Sequence, residues 1–156
     1  MRRRQFISLL GGAAAAYPFA ARAQQSERMR RVGVLMSTTE NDVEGQARIG
    51  AFLQGLRQAG WAVPGNLRID TRWAAGDAER IRKYAAELLA LAPDVILASG
   101  GSVVGPLLKL THTVPIVFTL TPDPVGAGFV QSLAHPGGNA TGFTSIEYGT
   151  SGKWLD

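Results

Sequence analysis

Three short stretches carry the side chains best suited to chemistry. "STTEND" (residues 37–42) follows an apolar run, and its Ser37 and Thr38 hydroxyls are candidate partners for a polar ligand. Asn41 or Asp42 can equally serve as the cap of a following helix. "SGGS" (residues 99–102) leads into an apolar segment. Gly100 and Gly101 let backbone approach a bound group closely, and free N–H groups at a helix start attract anions, a carboxylate among them. Ser102 adds a hydroxyl there, or caps the helix. "TLTPDPVGAG" (residues 119–128) holds Thr121 and Asp123. Pro122 and Pro124 bracket Asp123, which predicts a stiff loop with Asp123 extended. Its carboxylate can accept bonds from an ammonium group or cap the next helix. This chemistry is hydrogen bonding to a small polar solute.

Bond-making chemistry has no matching constellation. The turn after the first apolar run lacks a Gly-x-Gly, so it is no dinucleotide fingerprint, and no Gly-Lys-Ser/Thr follows Gly101. Gly100-Gly101-Ser102-Val103-Val104 misses the second glycine of a nucleophile elbow. His112 and His135 have no local partner at metal-ligand spacing and read as surface residues. Asn139-Ala140-Thr141 matches a glycosylation triplet, a signal of little weight beside a bacterial-type leader. No enzyme, metal or cofactor is expected. With no cysteine in the chain, disulfides and thiolate metal sites are excluded.

The elements that must hold these loops follow from periodicity. "RRVGVLM" reads as a buried strand ending before Ser37. Ile49, Phe52, Leu53 and Leu56 then fall on one helical face, with Arg48, Gln54, Arg57 and Gln58 opposite and Gly60 as the stop. Pro64-Gly65 fits a type II turn. "LRIDTRW" alternates as a strand with one exposed face does. Asp77 can cap a second helix with an apolar stripe of Ile81, Tyr84, Ala85, Leu88 and Ala92, ended by Pro93. "DVILAS" and "VPIVFTL" read as strands buried on both sides, separated by a short helix over 103–110. A further short helix through Leu133, the loop "HPGGN" and a fifth strand in "ATGFT" complete the pattern. The alternation predicts an α/β fold, a doubly wound, Rossmann-like parallel sheet. The half-polar second strand belongs at an edge, so the order is 2-1-3-4-5. Ligands in such sheets sit at the reversal between strands one and three, beyond the strand carboxyl ends, where the three loops converge.

The leader "RRRQFISLLGGAAAAYPFAARAQQ" places the chain in the cell. Arg2, Arg3 and Arg4 form a positive head, residues 6–16 an uncharged core beginning at Phe6, and Ala21-Arg22-Ala23 a small-residue cleavage step. The core is shorter than the ~20 apolar residues a bilayer span requires. Arg3-Arg4-Gln5-Phe6-Ile7 resembles a twin-arginine export signal, which implies the Tat machinery as a partner. Residues 1–23 are the expected signal, cleaved after Ala23, with a periplasmic product. The whole chain has 16 Lys+Arg and 12 Asp+Glu. Arg2, Arg3, Arg4 and Arg22 fall in the removable part, so the mature chain is close to neutral and a nucleic-acid partner is not expected. Arg28, Arg30 and Arg31 read as a solvated lead-in to the first strand.

The chain as a whole resembles a known family, the substrate-binding proteins of ABC transporters with a two-lobed, type I periplasmic-binding fold. The resemblance is carried by the leader, "RRVGVL", "FLQGLRQAGW", "LRIDTRWAAGD", "YAAELLALAPDVILASGG", "VPIVFTLTPDPVGAGFVQSLAHPGGNATGFT" and "GKWLD". It implies capture of a small solute outside the cytoplasmic membrane and delivery to an ABC permease in that membrane. Several relatives take amino-acid-like ligands, which suits the "SGGS" turn. It also implies two lobes, of which residues 24–146 would be the amino-terminal one and residues 147–156 the start of a crossover to a second that is absent. The competing expectations are an exported sensory domain, separable by neighbouring genes, and an exported α/β enzyme, separable by Ser102-dependent ester hydrolysis.

Overall fold

The computed structural model describes residues 29–144. The leader, with Arg3, Arg4, Phe6, Ala21 and Ala23, and the expected crossover at 147–156 lie outside the described residues. The element order is β1 (Arg30–Met36), α1 (Val43–Gln58), β2 (Leu67–Trp73), α2 (Ala78–Ala90), β3 (Val95–Ser99), α3 (Gly101–Leu110), β4 (Ile116–Thr119) and β5 (Ala140–Gly142). All four pairings are parallel, and the order across the sheet is β2-β1-β3-β4-β5, as the strand patterns predict.

Strand alternation divides the core in two. Leu35, Ile96, Ala98, Ile116 and Phe118 point to the face covered by α2 and α3, where they pack with Ile81, Ala85, Leu88, Val103, Val104 and Leu107. Val32, Val34, Met36 and Leu67 point the other way, toward Ile49, Phe52 and Leu56 of α1. This partition is what crossovers of one hand require. The chain steps from β1 to β2 in one direction and returns across β1 to β3 in the other, so the connecting helices fall on opposite faces.

The helix ends follow their sequence cues. Asp42 Oδ1 accepts from Gly45 N at 2.6 Å, and Asp77 Oδ1 from Arg80 N at 2.8 Å. At the far end of α1, Gly60 has φ +87° and Trp61 N donates to Leu56 O at 2.9 Å, a six-to-one closure that only a left-handed residue permits.

Four local expectations are corrected. Pro64-Gly65 forms no type II turn, because Gly65 does not take a positive φ and the Val63–Pro64 bond is cis. The loop closes one residue wider, with Asn66 N and Leu67 N both donating to Ala62 O. Ala92 is exposed at φ +51°, beyond the end of α2, and so leaves the buried stripe. No helix follows Pro124: Phe129 N and Val130 N both reach back to Pro124 O, and Gly128 turns the chain at φ +72°, giving one wide turn in place of a helical ladder. Finally, β3 and β4 are fully buried on one face only. Val95, Leu97, Val117 and Thr119 are half-buried on the other, since α1 alone covers that face among the described residues.

Candidate functional site

The register brings the carboxyl ends of four strands into one row. Met36 pairs with Trp73 on one side and Ser99 on the other, and Ser99 pairs in turn with Thr119. The chain therefore leaves β1, β2, β3 and β4 at the same level. The exits are tied together: Ser37 N donates to Ser99 O at 3.0 Å and Gly100 N to Thr119 O at 3.0 Å. Gly76 N donates to Ser37 O at 2.6 Å and Ala75 N to Thr38 O at 3.0 Å. The loops beginning at Ser37 and Gly100 thus form one rim, as expected, with the β2 exit as an additional brace.

The centre of this rim is the start of α3. Gly100 is its N-cap at φ +105° and offers no side-chain acceptor. Ser102 is therefore not the cap, which corrects that expectation. The first N–H groups of a helix have no intrahelical acceptor, so Gly101 and Ser102 present theirs outward along the positive end of the helix dipole. Ser37 closes over this point, and a Cβ on Gly100 would come within 2.8 Å of the Ser37 Cβ. Only glycine fits, for reasons of both φ and space.

The other candidates are placed less centrally. Thr38 Oγ1 is buried without a hydrogen-bond partner, beneath Gly45 and Trp73. Thr121 is fully buried, its hydroxyl donating to Thr119 O at 3.4 Å. Ser102 is exposed and lines a groove between α2 and α3. Asp123 is exposed but not extended: its φ is +41°, which overturns the expectation drawn from its flanking prolines. The cause is local. Gly126 N donates to Asp123 Oδ1 at 2.8 Å and Ala127 N to Asp123 O at 3.0 Å, so the residue curls over its own turn.

Backbone strain marks the same rim. Four non-glycine residues have positive φ among the described residues, and three of them, Ala75, Leu120 and Asp123, lie in loops at the strand carboxyl ends. Such conformations cost of order 1–3 kcal/mol each and gather where a site over-determines them. Beside the rim lies a feature that periodicity concealed. A cavity of about 300 Å³ opens against α1, lined by Met36, Phe52, Leu97, Ser99, Thr119 and Arg48. Arg48, assigned by its helical phase to the solvent face, pairs with Glu44 at the cavity edge. No group of His, Asp and Glu able to hold a metal ion occurs among the described residues, and no helix there is long and apolar enough to cross a membrane.

Residues 30–149 match the sequence profile of the family described as ABC transporter substrate binding protein. A tyrosine-binding protein of Clostridioides difficile (strain R20291) is 29% identical over 117 residues, covering 75% of this chain and 33% of that protein. Among solved structures, a conserved domain protein of Vibrio cholerae is 30% identical with a TM-score of 0.71, covering 82% of this chain and 43% of that one. A ligand-free, open substrate-binding protein with adhesive properties from Clostridium difficile is 25% identical with a TM-score of 0.70, covering 81% and 42%. The chain spans about a third of the length of the curated relative and about two-fifths of these structures.

Proposed function

The chain belongs to the family of ABC transporter substrate-binding proteins, and from that premise we propose that it is the amino-terminal lobe of an extracytoplasmic receptor for an amino-acid-like solute. The family binds its substrates without turning them over, in keeping with the absence of any expected catalytic constellation. One observation carries the site: α3 starts at the sheet rim with a glycine cap and no side-chain acceptor. A carboxylate seated on the Gly101 and Ser102 N–H groups supplies the missing acceptors, and the helix dipole favours its charge. The Ser37 hydroxyl stands beside Gly100 to donate a further bond. The Asp123 carboxylate, exposed at the same rim, is the candidate partner for an ammonium group, and the tyrosine-binding relative makes an α-amino acid the leading ligand class. Thr38 and Thr121, with their hydroxyls buried, shape the rim from beneath.

The leader directs export through the twin-arginine route with cleavage after Ala23, and delivery is to a membrane permease. Residues 147–156 begin the passage into a second lobe, which closes over the solute. One lobe presents one wall, so ligand burial and affinity depend on the second. The test is thermal unfolding of the gene product extended through the second lobe, against a panel of amino and carboxylic acids that includes L-tyrosine. A rise in midpoint with one solute class, lost in Ser37→Ala and Gly101→Pro, is expected. No shift with any member of the panel refutes the receptor reading.

A further inference from the structure

A second surface lies on the flank away from α1. The groove between α2 and α3 encloses about 420 Å³ and runs from Gly76 and Ser102, at the sheet rim, to Lys109 and Leu110 at the end of α3. Its floor is apolar: Ile81 and Pro106 line it, and Leu110 is 51% exposed. Arg82 and Lys109 are its two charged lining residues, and they carry the same sign. Neither forms an ion pair among the described residues, while the nearby cations Arg72 and Lys83 both pair with Glu87. The acids at the head of α2 are Asp77 and Glu79. Asp77 is spent on the cap, where the field of Arg82 reaches it, and neither acid lines the groove. Two like charges facing one apolar trough repel each other, and no acid lines the groove between them.

We propose that this groove docks an acidic, apolar-edged segment of the membrane permease, with carboxylates between Arg82 and Lys109 and an apolar side chain against Pro106 and Leu110. The inference rests on the receptor reading and deepens it by naming the docking face and its charge. The position suits the task, because the groove starts at the rim where solute is held yet leaves the cleft side of the lobe free. Complementary charge steers such encounters and fixes their register, and the contact is weakened by salt.

The chain contains no cysteine, so a single introduced thiol gives a unique handle. In the full-length receptor, Ala78→Cys carrying a photoreactive maleimide is expected to cross-link to the permease in membranes. Lys83→Cys, on another side of the same helix, is expected not to. The double reversal Arg82→Glu/Lys109→Glu is expected to abolish the cross-link and lower solute uptake by about tenfold or more, leaving solute affinity unchanged. Arg82→Lys/Lys109→Arg is expected to retain both. Cross-linking equal from both positions, or uptake unaffected by the reversal, overturns the groove as the docking face. A wild-type receptor that shifts with no solute yet cross-links from Ala78→Cys would sink the receptor reading while leaving the groove standing. If the reversal fails to fold, Leu110→Asn alone must still reduce cross-linking for the proposal to hold.

Discussion

Gly100 meets two demands at once, a φ of +105° and close packing under the Ser37 side chain. Gly100→Ala therefore adds backbone strain, of order 1–3 kcal/mol, to a steric overlap. Urea unfolding is expected to show at least that loss, and Ser37→Gly in the same chain should recover the overlap and leave the strain. Recovery of the full loss would mean that φ costs nothing here. Asp77 gives a prediction in pH. Its carboxyl is held below the ordinary value of 3.8, first by the bond from the Arg80 backbone N–H, then by the Glu79 backbone N–H and, less, by the fields of Arg80 and Arg82. A lowered folded value stabilises the protein above the unfolded value, and that contribution disappears as pH falls through the folded one. Wild type should thus lose stability below pH 3.8 more steeply than Asp77→Asn, which keeps the cap without titrating. Parallel midpoint curves for the two would contradict the assignment.

The elements were largely legible because their patterns are redundant. β2 was placed at an edge from the alternation in "LRIDTRW", and the structure pairs it with β1 alone. The cap at Asp77 was readable directly, and that of α1 was narrowed to Asn41 or Asp42, of which the structure uses Asp42. Asp42→Ala should cost about 1 kcal/mol by urea midpoint, with the loss of the Gly45 N bond. An unchanged midpoint would show that α1 is held by Phe52 and Leu56 packing alone. Conformation within loops was less legible. The prolines around Asp123 argued for an extended residue, but acceptance from Gly126 and Ala127 won. Such bonds depend on where the chain goes next, which local propensity does not encode. The candidate site was found as three stretches, but the bracing by Ala75 and Gly76 came from tertiary pairing. Arg48 was misplaced because helical phase tells which side of a helix a residue takes, not whether a neighbouring sheet leaves that side open.

At the scale of the whole molecule, the described residues cover the two faces of the sheet unequally. On the α2–α3 side Ile96, Ala98, Ile116 and Phe118 are essentially sealed. On the α1 side Leu97 and Val117 stay half-buried, and Leu120 and Phe143 are 37% and 73% exposed close by. Parallel sheets are ordinarily covered on both faces, and an apolar patch of this kind seeks a partner surface. Protein comprising residues 24–156 alone is therefore expected to self-associate with rising concentration in sedimentation velocity. Val117 alternates with the buried Ile116 and Phe118 and so faces the open side. Val117→Glu should then favour monomer while leaving the unfolding midpoint near that of wild type. A different pair of results, a wild-type monomer and a Val117→Glu protein destabilised by more than the ~1–3 kcal/mol that burying a neutral polar group costs, would point to a covering segment over β4 from outside residues 29–144. The contrast tests whether this lobe is self-sufficient, because only an open face can accept a charge at that position.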